Sequence, residues 1–208
     1  MRLFISIIAL LYTLSFSAFA ADTDAGLTDP NQTLKTLSKQ TFARLESERS
    51  KLAEQPEYIK VIINEELLPY FDYKYAAYSV VGANLKNTTA EQRENFVNAF
   101  RTYLINAYGH ILIKYDQQTL TILDNNNFKG KKIVSIPVRM RDNNGQVTQL
   151  SFKLRKNKKT GEWKVFDVIA EGISMLDTKR TEFGSLIQKQ GIDEVIKLLL
   201  EKNDEFES

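Results

Sequence analysis

Trp163-Lys-Val-Phe-Asp167-Val-Ile-Ala170-Glu-Gly172-Ile-Ser174-Met175 changes its structural period partway along. Trp163–Ala170 is rich in β-branched and aromatic residues and reads as a strand. Its pleat puts Val165 and Ile169 on one side and Phe166 and Val168 on the other, so both faces are expected to be buried. Glu171-Gly172 reads as a turn, and a helix restarts at Asp177. Working back, Asn157-Lys-Lys-Thr-Gly161 is a turn, preceded by Thr148–Arg155, where Leu150, Phe152 and Leu154 alternate with Gln149, Ser151 and Lys153. Asp142-Asn-Asn-Gly145 is a second turn, and Lys132–Asp142 before it sets Val134, Ile136, Val138 and Met140 on one face. Pro137 cannot donate to a ladder and marks an edge strand or a bulge. With Thr119–Asp124 ahead of these, the spacing predicts a four-stranded antiparallel meander.

Helical spacing flanks the meander on both sides. The clearest case is predicted over Ala90–Tyr115. Thr89 and Gln92 form a capping box, and Phe96, Phe100, Tyr103, Leu104, Ala107, Tyr108, Ile111 and Tyr115 repeat at three and four residues along one apolar face. Leu34, Leu37, Thr41 and Leu45 predict a helix over Thr33–Lys51. Pro56 opens another that carries Ile59, Ile62, Ile63, Glu66 and Leu67, and Pro69 ends or kinks it. A third holds Tyr75, Tyr78 and Val81 before Gly82. Asp177–Gln190 and Ile192–Lys202 close the chain, separated by Gly191. Strands in one block between helical blocks give an α+β fold, a curved antiparallel sheet covered by helices.

The first twenty residues read as a leader: Arg2, an apolar stretch Leu3–Leu14, and Ala18-Phe19-Ala20 as a small-x-small cleavage site. The processed chain then starts at Ala21 as one domain, 21–208, with residues 22–30 as a loose arm, outside the cytoplasm. The chain has no cysteine, so a thioether lipid anchor is chemically impossible and no disulfide can form. Without Arg2 there remain 27 basic residues against 26 acidic, which gives no reason to expect nucleic acid as a partner. Lys129 with Lys131-Lys132, and Arg155-Lys156 with Lys158-Lys159, read as solvated hairpin tips or as weak, salt-sensitive docking points for anionic head groups or an acidic surface.

Catalytic signatures are weak. His110, the single histidine, lies beside an apolar stripe and reads as solvated or packed. Asp167 interrupts an apolar strand with Glu171 four residues on. It is expected to be structural, held by a hydroxyl or by an arginine such as Arg101 or Arg180. The alternative is a small-molecule enzyme on a cone-like α+β fold with Asp167 as its base. No phosphate-cradling glycine loop and no nucleophile–base arrangement occurs, and no metal site is expected.

Several blocks carry a family resemblance: Glu66-Leu-Leu-Pro-Tyr70 with Lys74-Tyr-Ala-Ala77; Gln92-Arg-Glu-Asn-Phe96; Ala99-Phe-Arg101-Thr-Tyr-Leu104 with Ala107-Tyr-Gly109; and Arg155-Lys-Asn157 with Thr160-Gly161. Trp163–Met175 and Thr178-Lys179-Arg180-Thr-Glu-Phe183-Gly184 complete the set. In number and order these blocks resemble the periplasmic phospholipid-binding MlaC family, also called the toluene-tolerance auxiliary family. The resemblance implies a deep apolar cavity between curved sheet and helices, and a monomeric periplasmic carrier of phospholipid rather than an enzyme. It further implies service to outer-membrane lipid asymmetry, with no cofactor beyond the cargo. Two docking partners follow from it: an outer-membrane lipoprotein–porin complex and an inner-membrane ABC transporter with MCE domains.

A carrier of acyl tails needs large apolar side chains and no chemical motif. The lining expected on this reading is Phe100, Tyr103, Leu104, Ala107, Tyr108 and Ile111 from the long helix. From the strands it is Ile136, Val138, Leu150, Phe152, Val165 and Ile169. Tyr75 and Tyr78, with Ile173 and Met175, are expected at the mouth, where a phenol suits a boundary between greasy and wet surroundings. Periodicity alone reads the same residues as a closed core. A chaperone holding unfolded peptide is a third possibility.

Overall fold

The computed structural model describes residues 26–114 and 118–206. The leader over 1–20, the start at Ala21 and Tyr115 lie outside them. Of the arm expected over residues 22–30, the described part is folded: Gly26–Thr28 forms a 3-10 turn, and Asp29 accepts hydrogen bonds from the Asn31 and Gln32 N–H groups and caps helix α1 (Pro30–Ser47). The helix expected to reach Lys51 breaks at Glu48, and Arg49–Glu54 forms a separate α2. Helix α3 (Ile59–Ile62) runs into a π-helical turn, Ile63–Leu67, then a 3-10 turn, Leu68–Tyr70, where Pro69 stops it. Helix α4 (Tyr73–Val81) is capped by Asp72 and ends at Gly82, whose φ of 57° suits glycine. Helix α5 (Ala90–Leu112) starts from the Thr89–Gln92 capping box and stops short of the expected end.

Strands β1 (Thr119–Ile122), β2 (Ile133–Arg141), β3 (Val147–Lys156), β4 (Trp163–Ala170) and β5 (Ile173–Ser174) follow in spatial order, all antiparallel. The two-residue β5 is an addition to the four strands expected. Helices α6 (Met175–Gln190) and α7 (Ile192–Glu205) complete the chain. Pro137 sits where its missing donor does least harm. Its carbonyl accepts from Leu123 N–H just past the end of β1. N and O of one strand residue point the same way, so the absent N–H faces the frayed end of β1 rather than β3.

A β-bulge divides β4. Leu154 pairs with Val165 but Lys153 pairs with Asp167, leaving Phe166 as the extra residue. Past it the inward positions are Val168, opposite Phe152, and Ala170, opposite Leu150. Ile169 falls opposite Ser151, on the face away from Val165, which corrects the uninterrupted pleat assumed from sequence.

The inner face of the sheet packs on α1, α4 and α6, and α5 and α7 join them in one core. Ile136, Val138, Leu154, Trp163 and Val165 from the strands meet Phe96, Phe100, Val80, Phe183 and Leu199 from the helices, all essentially inaccessible to solvent. A second cluster joins Leu45, Ile59, Ile62, Ile63, Leu68 and Ile105. There α5 crosses α3 at Gly109, where an added Cβ would stand 3.3 Å from Ile59 Cγ2. Close helix approach is the reason a glycine occupies this apolar face.

Candidate functional site

A cavity of about 230 Å³ lies between α5, β4 and the start of α6, with Phe71 and Ala76 behind it. Helix α5 supplies one wall: Phe100, Tyr103, Leu104, Ala107, Tyr108 and Ile111, residues spaced so that each turn presents one or two to the same side. The bulge turns Phe166 and Val168 toward it from β4, and α6 adds Met175, Leu176 and Lys179. Ile111 is 65% exposed and Met175 39%, so these two mark the opening, while Phe100 at 1% marks the floor.

Aromatic rings stiffen the wall. Phe96 and Phe100 stack at 5.9 Å, Phe100 and Tyr103 at 6.2 Å, and Tyr103 meets Phe183 edge-on at 6.0 Å. Phe71 approaches Tyr108 edge-on at 6.0 Å. Burial pushes the Tyr108 phenol well above its ordinary pKa, with the charge of Asp167 adding to the effect. The hydroxyl is therefore neutral at any physiological pH.

The cavity has fourteen lining residues, and two of them are charged. Both charges are already engaged. Asp167, 3% exposed, accepts from the Ser174 hydroxyl at 2.8 Å and the Leu176 N–H at 3.0 Å, and pairs with Lys153 at 3.2 Å. Of the two holders expected, a hydroxyl or an arginine, the hydroxyl is present, and a lysine and a backbone donor accompany it. Ser174 Oγ accepts in turn from Asp177 N–H as the cap of α6. Asp167 thus fastens the start of α6 to β4, and it is not held as a free base. Lys179 pairs with Glu182 at 2.7 Å and lies over the rings of Tyr103 and Phe183 at 5.2 and 5.6 Å. Burial pulls its ammonium down, but Glu182 and the Tyr103 hydroxyl more than offset that, so it stays charged.

The structure brings together all six residues expected from α5, and Met175. It does not bring the strand residues to this cavity. Ile136, Val138 and Val165 are at most 1% exposed and belong to the closed core, while Leu150 and Phe152 are half-buried against that core. Ile169 is on the other face. Tyr75 backs the wall instead of lining it: its ring meets Phe166 edge-on at 5.1 Å and carries the Arg155 guanidinium at 4.2 Å. Tyr78 packs against the core, with the Lys74 ammonium 5.9 Å from its ring. Ile173 is 60% exposed on β5, two residues from Met175. His110 is exposed and leans on Phe206 at 4.9 Å, a packed histidine. Phe71, Ala76, Phe166, Asp167, Val168, Leu176 and Lys179 were not expected in the lining. Leu176, next to Met175 at the head of a helix, carried a usable signal. Phe71 and Ala76 reach the cavity only through the tertiary fold.

Among the described residues no helix is long and apolar enough to cross a membrane. The fold is similar to a phospholipid-binding protein from Ralstonia solanacearum solved in complex with a phospholipid. The TM-score is 0.78 at 21% identity, covering 86% of this chain and 99% of that one. By sequence the chain is 26% identical over 165 residues to the toluene tolerance protein ttg2D of Pseudomonas putida, covering 79% of this chain and 75% of that protein. It is 33% identical over 170 residues to the intermembrane phospholipid transport system binding protein MlaC of Haemophilus influenzae, covering 81% and 79%. The sequence model of the family described as MlaC protein matches residues 35–201, which spans every helix wall and strand of the cavity, and the chain belongs to that family.

Proposed function

We propose that this chain is a phospholipid carrier that holds acyl tails in the cavity between α5, β4 and α6. The observation that carries the reading is a wall of aromatic and aliphatic side chains whose two charges are both neutralised by neighbours. Two acyl chains of roughly sixteen carbons cost on the order of 25 kcal/mol to expose to water, at about 0.8 kcal/mol per CH₂. A shuttle is useful only if it replaces the bilayer with an enclosed apolar surface, and this wall offers one. Ligand cavities typically measure about 300–1,000 Å³, and this one holds about 230 Å³. A diacyl lipid therefore has to widen it, and the head group stays at the Ile111–Met175 opening.

The names of the relatives support the same reading, since one belongs to an intermembrane phospholipid transport system. On this proposal the carrier works in the periplasm, exchanges cargo with an outer-membrane lipoprotein–porin complex and an inner-membrane MCE-domain ABC transporter, and contributes to outer-membrane lipid asymmetry. The leader-like start favours a chain processed outside the cytoplasm. Transfer by the carrier itself requires no cofactor. The test is native mass spectrometry of the protein expressed with its leader, followed by organic extraction. Phospholipid at near one per chain supports the carrier. An apoprotein that stays lipid-free after incubation with vesicles overturns it.

A further inference from the structure

Two lysine-rich turns far apart in sequence meet at one end of the sheet. Lys129, Lys131 and Lys132 precede β2, and Lys156, Lys158 and Lys159 stand at and beyond the end of β3. Pairing of Ile133 with Arg155 brings the turns side by side, and Lys156 N–H donates to the Lys132 carbonyl at 2.9 Å. Phe128 meets Trp163 edge-on at 6.4 Å, holding the first turn against the start of β4.

All six lysines are exposed, and none forms an ion pair among the described residues. Elsewhere Lys35, Lys60, Lys153, Lys179 and Lys197 each have a carboxylate partner. Within 128–132 and 156–162 the sole acid is Glu162, which accepts the Thr160 hydroxyl. For a chain whose net charge is +2, this concentration leaves the rest of the molecule net acidic and gives it a strong polarity.

We propose that this end of the sheet docks on an anionic bilayer surface. The chemistry of the patch favours a membrane over an acidic protein. Arginine is the residue suited to bidentate recognition of fixed carboxylates. The one arginine here, Arg155, is already bound to Asp72 at 2.6 Å and stacked on Tyr75. The charges without a carboxylate partner are all lysines, of which Lys156 lies over the Trp163 ring at 6.0 Å; they are hydrated point charges on flexible stems, which suit a diffuse layer of phosphates. Ile133 stands among them, 48% exposed, and provides an apolar side chain at head-group depth. Docking here also places the cavity within reach. Lys164 lies at the patch end of β4, and Phe166–Val168 line the cavity, at most roughly 13 Å further along the strand at about 3.3 Å per residue.

The inference goes beyond the carrier reading and is tested apart from it. The protein, expressed with its leader and purified from outside the cytoplasm, is sedimented with vesicles of phosphatidylcholine alone and with vesicles containing phosphatidylglycerol. Expected is binding to the anionic vesicles only, lost as salt is raised. Each lysine near an anionic surface is worth about fivefold in partitioning. Lys158→Gln/Lys159→Gln therefore weakens binding about 25-fold, and Lys131→Gln/Lys132→Gln does the same. Lys189→Gln/Lys202→Gln, an equal charge change on α6 and α7, leaves binding intact. Absence of binding to anionic vesicles at low salt overturns the proposal, as does an equal loss in the α6–α7 control. Lysine-dependent retention on immobilised polyglutamate without vesicle binding assigns the patch to an acidic protein and also overturns it. Vesicle binding does not require cargo, so failure here leaves the cavity reading standing, and a lipid-free cavity leaves this one standing.

Discussion

The Asp167 carboxylate and the Ser174 hydroxyl, 2.8 Å apart, join the cavity strand to the helix that closes the cavity. The same carboxylate holds the Leu176 N–H and the Lys153 ammonium. Removing it leaves a donor at the head of α6 without a partner. Lys153 is partly exposed and can turn to water, which limits the loss. Asp167→Ala is expected to cost about 2–3 kcal/mol, the range for hydrogen bonds to charged groups, and Ser174→Ala about 1 kcal/mol as a lost cap. Urea unfolding checks both. If Asp167→Ala unfolds at the wild-type midpoint, the junction carries no stability.

Cavity wall and closed core make opposite predictions. Ala107→Phe adds a ring inside the void, so co-purified phospholipid falls at least tenfold while the melting temperature holds. Ile136→Ala empties a core position at 0% exposure and costs about 2–5 kcal/mol, with lipid content per folded chain unchanged. Extraction and thermal melting on both variants decide whether the α5 face or the sheet face meets the cargo.

Alkaline pH should weaken the fold. The Tyr108 phenol is raised above its ordinary 10.0 by burial and by Asp167, and Tyr70 is raised by burial and by Glu66. A raised value means the folded state holds its proton more tightly than the unfolded chain does. The associated stability is therefore complete below about pH 10 and is lost as pH rises beyond it. Melting curves taken upward from neutral pH should be flat and then fall, and Tyr108→Phe should make the fall shallower. An identical slope in the variant would remove Tyr108 as a cause.

Gly109 is the contact point of α5 with α3, where an added Cβ would meet Ile59 at 3.3 Å. Gly109→Val forces two further methyl groups into that approach. It is expected to destabilise by about 1–3 kcal/mol, the usual penalty for overpacking, read from denaturant midpoints. A variant as stable as wild type would show that the helices part at little cost.

Much of this architecture could be read in the chain because local signals agreed with tertiary ones. The turn at Asn157–Gly161 and the one after Ala170 bound β4 to the residue, and the Thr89–Gln92 box fixed the start of α5. The break at Glu48 was hidden because Leu45 and Leu52 keep an apolar rhythm across it. Neither the bulge at Phe166 nor the two-residue β5 leaves a compositional mark, since each concerns pairing with a neighbour. The lining divided the same way. Every expected residue on α5 reached the cavity, because one helix face points in one direction. Ile136, Val138 and Val165 did not, because alternation says which face of a sheet is buried but not whether a void or a side chain lies opposite.

The extra residue at Phe166 acts as a frame shift within a single strand. Before it, β4 is in phase with the sealed interior; after it, the same eight-residue strand is in phase with an open volume and with the lysine opposite Asp167. Without the bulge Phe166 would fall opposite Lys153, Asp167 opposite Phe152 and Val168 opposite Ser151, turning a carboxylate toward the greasy wall and a valine away from it. One inserted residue thus lets a continuous strand belong to a permanent interior along half its length and to a vacatable one along the other.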